Sequence, residues 1–282
     1  MLIPEAFLDC VFYLYPSRIA AEEGHAVGGS GFFVGVPSAR FSDRVYVYAV
    51  TNRHVVEDGE SRTIRINRRA GGVEVFETEL NHWTCAAADD LAVVHFEANL
   101  IECSYTWLEV QQFVTKELIT RMRIGPGDQV FMVGRFVNHQ GLACNTPAAR
   151  FGNLSMMPGE PVKRKDGSLQ LSFMADMRSM SGYSGSPVSV FISPAEQPFR
   201  RMDRSHPDSR LCGPWLLGID WGHTESKSRV FTGANMQAEG LHVNTNAGIS
   251  LIVPAWRLQE LLYEDSLVTQ RKKMDELRDD IS

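Results

Sequence analysis

Several features that would fix a simple class are scarce in this 282-residue chain. Its five cysteines (Cys10, Cys85, Cys103, Cys144 and Cys212) are odd in number and form no Cys-x-x-Cys pair. That excludes a disulfide framework and a structural zinc site as organising devices; His82 and Cys85 have a His-x-x-Cys spacing, but two ligands make no metal site. No metal or other cofactor is expected. No apolar run reaches the roughly eighteen residues of a membrane-spanning helix, so no membrane association is expected. The apolar N-terminal segment has no Lys or Arg before it, holds Glu5 and Asp9, and ends in no small-residue cleavage site. No signal peptide is expected, and a cytoplasmic location is the simplest expectation. Positive charge is also scarce: 28 Lys and Arg face 34 Asp and Glu, a formal net charge of −6. No surplus exists to grip phosphates, so a general nucleic-acid binder is excluded. Hydrophobic residues make up 44% and charged ones 22%, an ordinary globular balance that excludes whole-chain disorder.

What the chain does have is short runs rich in β-branched and aromatic residues. Cys10–Tyr15, Gly31–Val36, Val45–Thr51, Thr63–Asn67, Val73–Glu77 and Leu91–Phe96 form one series of predicted strands. Val45–Thr51 is the strongest, β-branched or aromatic except at Ala49. Apolar positions 113, 114, 118, 119 and 122 suit one amphipathic helix over Gln111–Met122. Gly125-Pro126-Gly127-Asp128 then marks a turn. A second series follows at Gln129–Arg135, Arg150–Ser155, Leu169–Met174, Pro187–Ile192, Trp215–Trp221 and Ile249–Val253. Six strands, a connector and six more predict an all-β chain of two six-stranded antiparallel barrels with a C-terminal helix. The predicted divisions are a first barrel at 1–100, a connector at 101–126, a second barrel at 127–254, and a helix and charged tail at 255–282. Ser193–Gly213, polar with Pro194, Pro198 and Pro207, reads as a long surface excursion. Its arginines at 200, 201, 204 and 210 read as a solvated loop rather than a docking patch. Leu267, Met274 and Ile281 recur every seven residues, but two heptads favour a fraying end over a partner helix.

Three segments carry residues suited to nucleophilic chemistry. Ser181-Gly182-Tyr183-Ser184-Gly185-Ser186-Pro187 surrounds Ser184 with small residues, which lets the backbone turn tightly and expose the hydroxyl. A serine hydroxyl is a weak nucleophile and needs a base and an orienting acid. Thr51-Asn52-Arg53-His54-Val55-Val56 places a histidine at the end of the strongest strand. Asp89-Asp90-Leu91-Ala92-Val93-Val94 places an acid at the mouth of the next. The order His54, Asp90, Ser184 is one of the known chain orders for a Ser-His-Asp arrangement. It puts base and acid in one barrel and the nucleophile in the other.

These segments resemble the trypsin-like serine peptidases, especially their bacterial high-temperature-requirement (Deg) branch. Gly29-Ser30-Gly31-Phe32-Phe33 is similar to that family's glycine-rich entry strand. Gly127-Asp128-Gln129-Val130-Phe131-Met132-Val133-Gly134 is similar to the first strand of its second barrel. Ala175-Asp176 precedes Ser184 as in its serine segment. Gly218-Ile219-Asp220-Trp221-Gly222 is similar to the strand that pairs with substrate, and Gly248-Ile249-Ser250-Leu251-Ile252-Val253-Pro254 to the last strand. The resemblance implies a serine endopeptidase acting on protein or peptide substrates. His54 would be the general base, Asp90 its orienting acid and Ser184 the nucleophile, with the backbone N–H groups of Gly182 and Ser184 as oxyanion hole. Arg178, Met180, Ile219, Asp220, Trp221 and Gly222 would line the substrate site.

The chain also departs from that pattern. Tyr183 stands where animal relatives carry an aspartate that receives a cleaved N-terminus, so no N-terminal cleavage is expected. Control would come from ordering of the loops at Gly182 and Ser193–Gly213 by an activating protein partner or an oligomer contact. Ser186 replaces a glycine, and Asp220 replaces a common serine and is expected to sit near Asp90. No PDZ-like segment follows. An α/β-hydrolase is a weaker reading: Gly182–Ser186 falls one residue short of Gly-x-Ser-x-Gly, and Pro187–Ile192 is strand-like where that fold needs a helix. A catalytically silent barrel pair that binds protein is the alternative from another class.

Overall fold

A computed structural model describes residues 2–26, 28–136, 141–164, 166–179, 182–192, 213–231 and 237–279, with backbone alone at 231, 237–240, 278 and 279. Nine strands build the first half: β1 (Val11–Tyr15), β2 (Ser30–Pro37), β3 (Val45–Thr51), β4 (Thr63–Arg68), β5 (Val73–Phe76), β6 (Thr84–Cys85), β7 (Ala92–His95), β8 (Cys103–Ser104) and β9 (Leu108–Glu109). Eight follow: β10 (Gln129–Gly134), β11 (Ala148–Met156), β12 (Val162–Lys163), β13 (Leu169–Gln170), β14 (Phe173–Asp176), β15 (Pro187–Phe191), β16 (Trp215–Phe231) and β17 (Gln237–Pro254). The described helices are α1 (Glu5–Asp9), α2 (Arg18–Glu23), α3 (Arg53–Val56), α4 (Lys116–Met122), α5 (Ala255–Leu262) and α6 (Asp265–Asp279). No described helix is long and apolar enough to cross a membrane.

The second half closes as a six-stranded barrel in the order β10-β11-β14-β17-β16-β15. The first half does not match the expected six-stranded barrel. It is a nine-stranded sheet running β5-β4-β1-β2-β3-β7-β6, with β8 on β4 and β9 on β2. Its edges explain the difference. β6, β8 and β9 are two residues each, too short to carry a closing ladder, and short edges are a common way to end a sheet. β3 lies between β2 and β7 and is buried along all but its first residue. A strand covered on both faces calls for an unbroken apolar run, which is why its sequence signal is so strong. One core crosses the seam: Tyr13, Phe32, Val34 and Tyr48 pack in the same cluster as Phe131, Leu216, Ile219 and Val253.

Three elements differ from expectation. The predicted helix over Gln111–Met122 begins at Lys116. Val110–Gln112 is a 3-10 turn, Phe113 bridges Leu216, and Thr115 caps the helix by accepting the Leu118 N–H at 3.1 Å. Apolar spacing alone cannot see a residue drawn onto a neighbouring strand. The expected strand Leu169–Met174 divides into β13 and β14, because β13 pairs with β12 as a separate two-stranded sheet. The expected strands Trp215–Trp221 and Ile249–Val253 extend into one long hairpin whose distal residues are largely exposed.

The charged tail is also docked rather than frayed. On α6, Leu267, Arg271 and Asp275 are buried, and Met274 packs against the core. The single Tyr46 O–H has two acceptors in reach, the Arg271 carbonyl at 3.0 Å and Asp275 Oδ1. Arg271 Nη1 donates to Tyr48 Oη at 3.0 Å, and Arg44 Nη1 to the Met274 carbonyl at 2.9 Å. Leu267 and Met274 thus face the core of the same chain, while Arg271 and Asp275 bond to β3; Ile281 lies outside the described residues. Leu267→Ala should lower unfolding free energy by about 2–4 kcal/mol, as buried leucine truncations do. Denaturant titration checks this, and a loss below about 0.5 kcal/mol would mean that α6 is not part of the folded core.

Candidate active site

His54 and Asp90 meet because two neighbouring strands end at the same level. β3 stops at Thr51, the one-turn helix α3 carries His54, and β7 begins just after Asp90. Their register is fixed by Thr51 opposite Ala92. His54 Nδ1 lies 2.7 Å from Asp90 Oδ2, and the His54 backbone N–H donates to Asp90 Oδ1 at 3.0 Å. Asn52 Nδ2 donates to the Asp90 carbonyl at 2.9 Å. Asp90 is 1% exposed. Burial drives its carboxyl upward, but the His54 hydrogen bonds and the Arg164 charge outweigh burial and hold it below its ordinary value. Asp90 is therefore a carboxylate at neutral pH.

The adjacent Asp89 has a separate task. Its Oδ2 accepts Arg257 Nε and Nη2, each at 2.8 Å, and its Oδ1 accepts Gln170 Nε2 at 2.8 Å. Gln170 Oε1 in turn accepts the Asp90 N–H at 2.8 Å. The two carboxylates therefore answer to different cations: Arg257 for Asp89, and Arg164, at 3.3 Å from Asp90 Oδ1, for Asp90.

Ser184 sits on a loop tied across the seam to β2. The Ser30 N–H donates to the Ser184 carbonyl at 2.8 Å, and Ser30 Oγ donates to the Gly182 carbonyl at 2.7 Å. The Gly185 N–H donates to the Asp220 carbonyl at 2.9 Å, and the Ser186 N–H to the Tyr183 carbonyl at 2.8 Å. The Gly182 and Ser184 N–H groups donate to no backbone carbonyl among the described residues. Gly185 must be glycine: its φ is +87°, and a Cβ there would strike the Ser30 carbonyl and Thr51 Oγ1. Ser186, buried, fits because Gly134 opposite it has no Cβ. Tyr183 is buried with the Arg150 guanidinium 5.1 Å from its ring centroid, and burial raises its phenol.

One cleft of about 640 Å³ brings these residues together, lined by His54, Asp90 and Ser184 and by Ser179, Trp221 and Leu251. Gly222, Val162, Arg164 and His223 also line it. No hydrogen bond joins His54 to Ser184 among the described residues; such contacts are often long before substrate binds.

Of the expected substrate-site residues, Trp221 and Gly222 line the cleft. Arg178 is exposed and does not line it, and Ile219 is fully buried in the core; Met180 lies outside the described residues. Asp220 departs from expectation in two respects. Its side chain does not line the cleft: Asp220 is fully buried, in regular register with Ile252 on β17, and the bulge comes only after it, between Asp220 and Gly222. Nor does it face Asp90: it is fully buried, accepts Ser179 Oγ at 2.7 Å, and burial pushes its carboxyl up to about 8. Arg164, Gln170, Ser179 and Arg257 were not anticipated. Gln170 lies 80 residues from Asp90 in the chain, and no local pattern signals such a contact. The expected loop control at Ser193–Gly213 falls almost wholly outside the described residues, as does Cys212; the other four cysteines are free. Among the described residues, no group of three or more His, Cys, Asp or Glu is placed to hold a metal ion.

No protein-family model and no curated protein matches this chain. Solved structures do. The apo MamO protease domain of Magnetospirillum magneticum matches with a TM-score of 0.53 and 15% identity, over 92% of this chain and 98% of that one. The HtrA-type protease AlgW, solved with a decapeptide, matches at TM-score 0.45 and 13% identity. That match covers 84% of this chain and 51% of AlgW. Deg5 matches at 0.43 and 16% identity, over 77% of this chain and 81% of that one. The chain therefore has the fold of a trypsin-like protease domain.

The buried Asp220 gives a pH test. An unfolded aspartate ionises near 3.8, so the folded chain holds an extra proton between about 4 and 8. Stability from this group is then lost as pH rises through that window. The stability of Asp220→Asn relative to the parent should rise by about 4–5 kcal/mol between pH 4 and 8. Denaturant titrations across that range check it; a margin that stays flat contradicts it.

Proposed function

We propose that this chain is a serine endopeptidase acting on protein or peptide substrates. The observation that carries the reading is the 2.7 Å contact of His54 Nδ1 with a buried, ionised Asp90, on the cleft that also holds Ser184. In this reading Asp90 fixes the tautomer with hydrogen on Nδ1, which leaves Nε2 free to take the proton of Ser184 Oγ. The hydroxyl oxygen attacks the peptide carbonyl, and the oxyanion forms beside the Gly182 and Ser184 N–H groups. His54 returns the proton to the leaving amine, and water attacks the acyl-enzyme by the reverse sequence. Trp221, Leu251 and Val162 give the cleft an apolar wall, which fits an uncharged substrate side chain.

The catalytically silent binding module keeps one point in its favour, the missing His54–Ser184 hydrogen bond. Hydrolysis of a peptide library by the purified chain separates the two readings. Ser184→Ala and His54→Ala should each reduce kcat/KM by about three orders of magnitude or more, since such residues act as a unit. Wild-type cleavage by Ser184→Ala would overturn the nucleophile assignment. Tyr183 packs beside the Arg150 guanidinium, and in this reading the chain needs no N-terminal cleavage, because a neutral phenol cannot hold a buried ammonium by charge. Intact mass of the active species should include the residues before Gly28; activity confined to species truncated near residues 26–28 would contradict this.

A further inference from the structure

We infer that Arg164 is a positioning residue that sets the basicity of His54 through Asp90, and that it is delivered by a hairpin standing apart from the barrel. The inference rests on the peptidase reading only in what that basicity is used for.

The hairpin is β12–β13. Val162 pairs with Gln170 and Lys163 with Leu169, as a two-stranded sheet of its own. Its turn is built locally: the Arg164 N–H donates to the Ser168 carbonyl at 2.8 Å, Asp166 Oδ1 accepts from Ser168, and Gly167 takes φ +89°. Its outer face is open to solvent, with Leu169 62% exposed. Two side chains turn inward to the acid pair of the other half. Gln170, fully buried, spans Asp89 and the Asp90 N–H. The Arg164 side chain, 10% exposed, lies 3.3 Å from Asp90 Oδ1.

The division between the two carboxylate oxygens carries the argument. Oδ1 takes the His54 N–H and the Arg164 cation, whereas Oδ2 takes the imidazole. Arg164 thus holds the carboxylate from the side away from the ring. Its charge also opposes the imidazolium that forms when His54 accepts a proton. A cation within a few ångströms of a carboxylate withdraws part of the field that the carboxylate exerts on its other partner. The remaining charges near this pair sit on other elements. Arg53, Glu57 and Asp58 belong to α3 and the residues after it, and Cys85 to β6. Lys163 and Asp166 are on the hairpin, and His223 and Glu225 are on β16. Asp89 is matched by Arg257, which also meets Glu260. Arg164 is the cation in direct contact with Asp90 itself.

The test is the NMR titration of the His54 ring in a Ser184→Ala background, assigned against His54→Ala. Arg164→Gln should move the midpoint up by about one pH unit. Arg164→Lys, which keeps the charge, should stay near the parent. Arg164→Met is the second neutral variant should Arg164→Gln not fold. A neutral variant that folds and titrates with the parent overturns the inference, because a purely structural arginine would change stability and leave the midpoint in place. In the otherwise wild-type chain, the acid limb of kcat/KM should move in the same direction. A shifted ring midpoint in a chain with no Ser184-dependent hydrolysis would sink the peptidase reading and leave the role of Arg164 standing.

Discussion

The buried negative charge on Asp90 constrains the rest of the site. A carboxylate taken out of water is costly unless several donors and a nearby cation compensate it. Here the compensation comes from both halves: His54 from the first, Arg164 from the second. The Asp90 segment is therefore satisfied only when the seam is closed. Gln170 reinforces this by bonding both the Asp89 carboxylate and the Asp90 N–H. The cleft and the fold consequently share one set of interactions.

The serine side of the cleft follows the same logic with backbone groups. Ser30, buried on β2, donates its N–H to the Ser184 carbonyl and its hydroxyl to the Gly182 carbonyl, and accepts the Arg135 N–H at 2.9 Å. Two segments of the second half, the serine loop and the end of β10, are thus registered on one residue of the first. Thr51, the last residue of β3, donates its hydroxyl to the Ser30 carbonyl at 2.8 Å. The strand that leads to His54 and the loop that carries Ser184 are thereby joined through one residue, Ser30. Gly185 allows the approach, since any side chain there would fill the gap.

The β class, the strand series and the three candidate residues were legible in the sequence because each is a local signal. β3 announces itself through burial on both faces, and the serine loop through its small residues. The contacts that organise the cleft were less legible. Arg164 and Gln170 lie on a short, mostly exposed hairpin, and nothing in residues 162–170 hints at a partner some 80 positions earlier. Asp220 turns into the core to meet Ser179, and no local pattern marks a contact 41 positions away in the chain. The tail was misread because two heptads cannot show whether a helix meets its own sheet or nothing.

The measurement that bears most directly on the central claim is labelling with a fluorophosphonate probe, read by intact mass and peptide mapping. The account predicts one adduct per chain, on Ser184, formed by the wild-type protein and lost in His54→Ala. An adduct on another residue, or a folded chain that takes up none, would contradict the claim that His54, Asp90 and Ser184 form an acyl-transfer site.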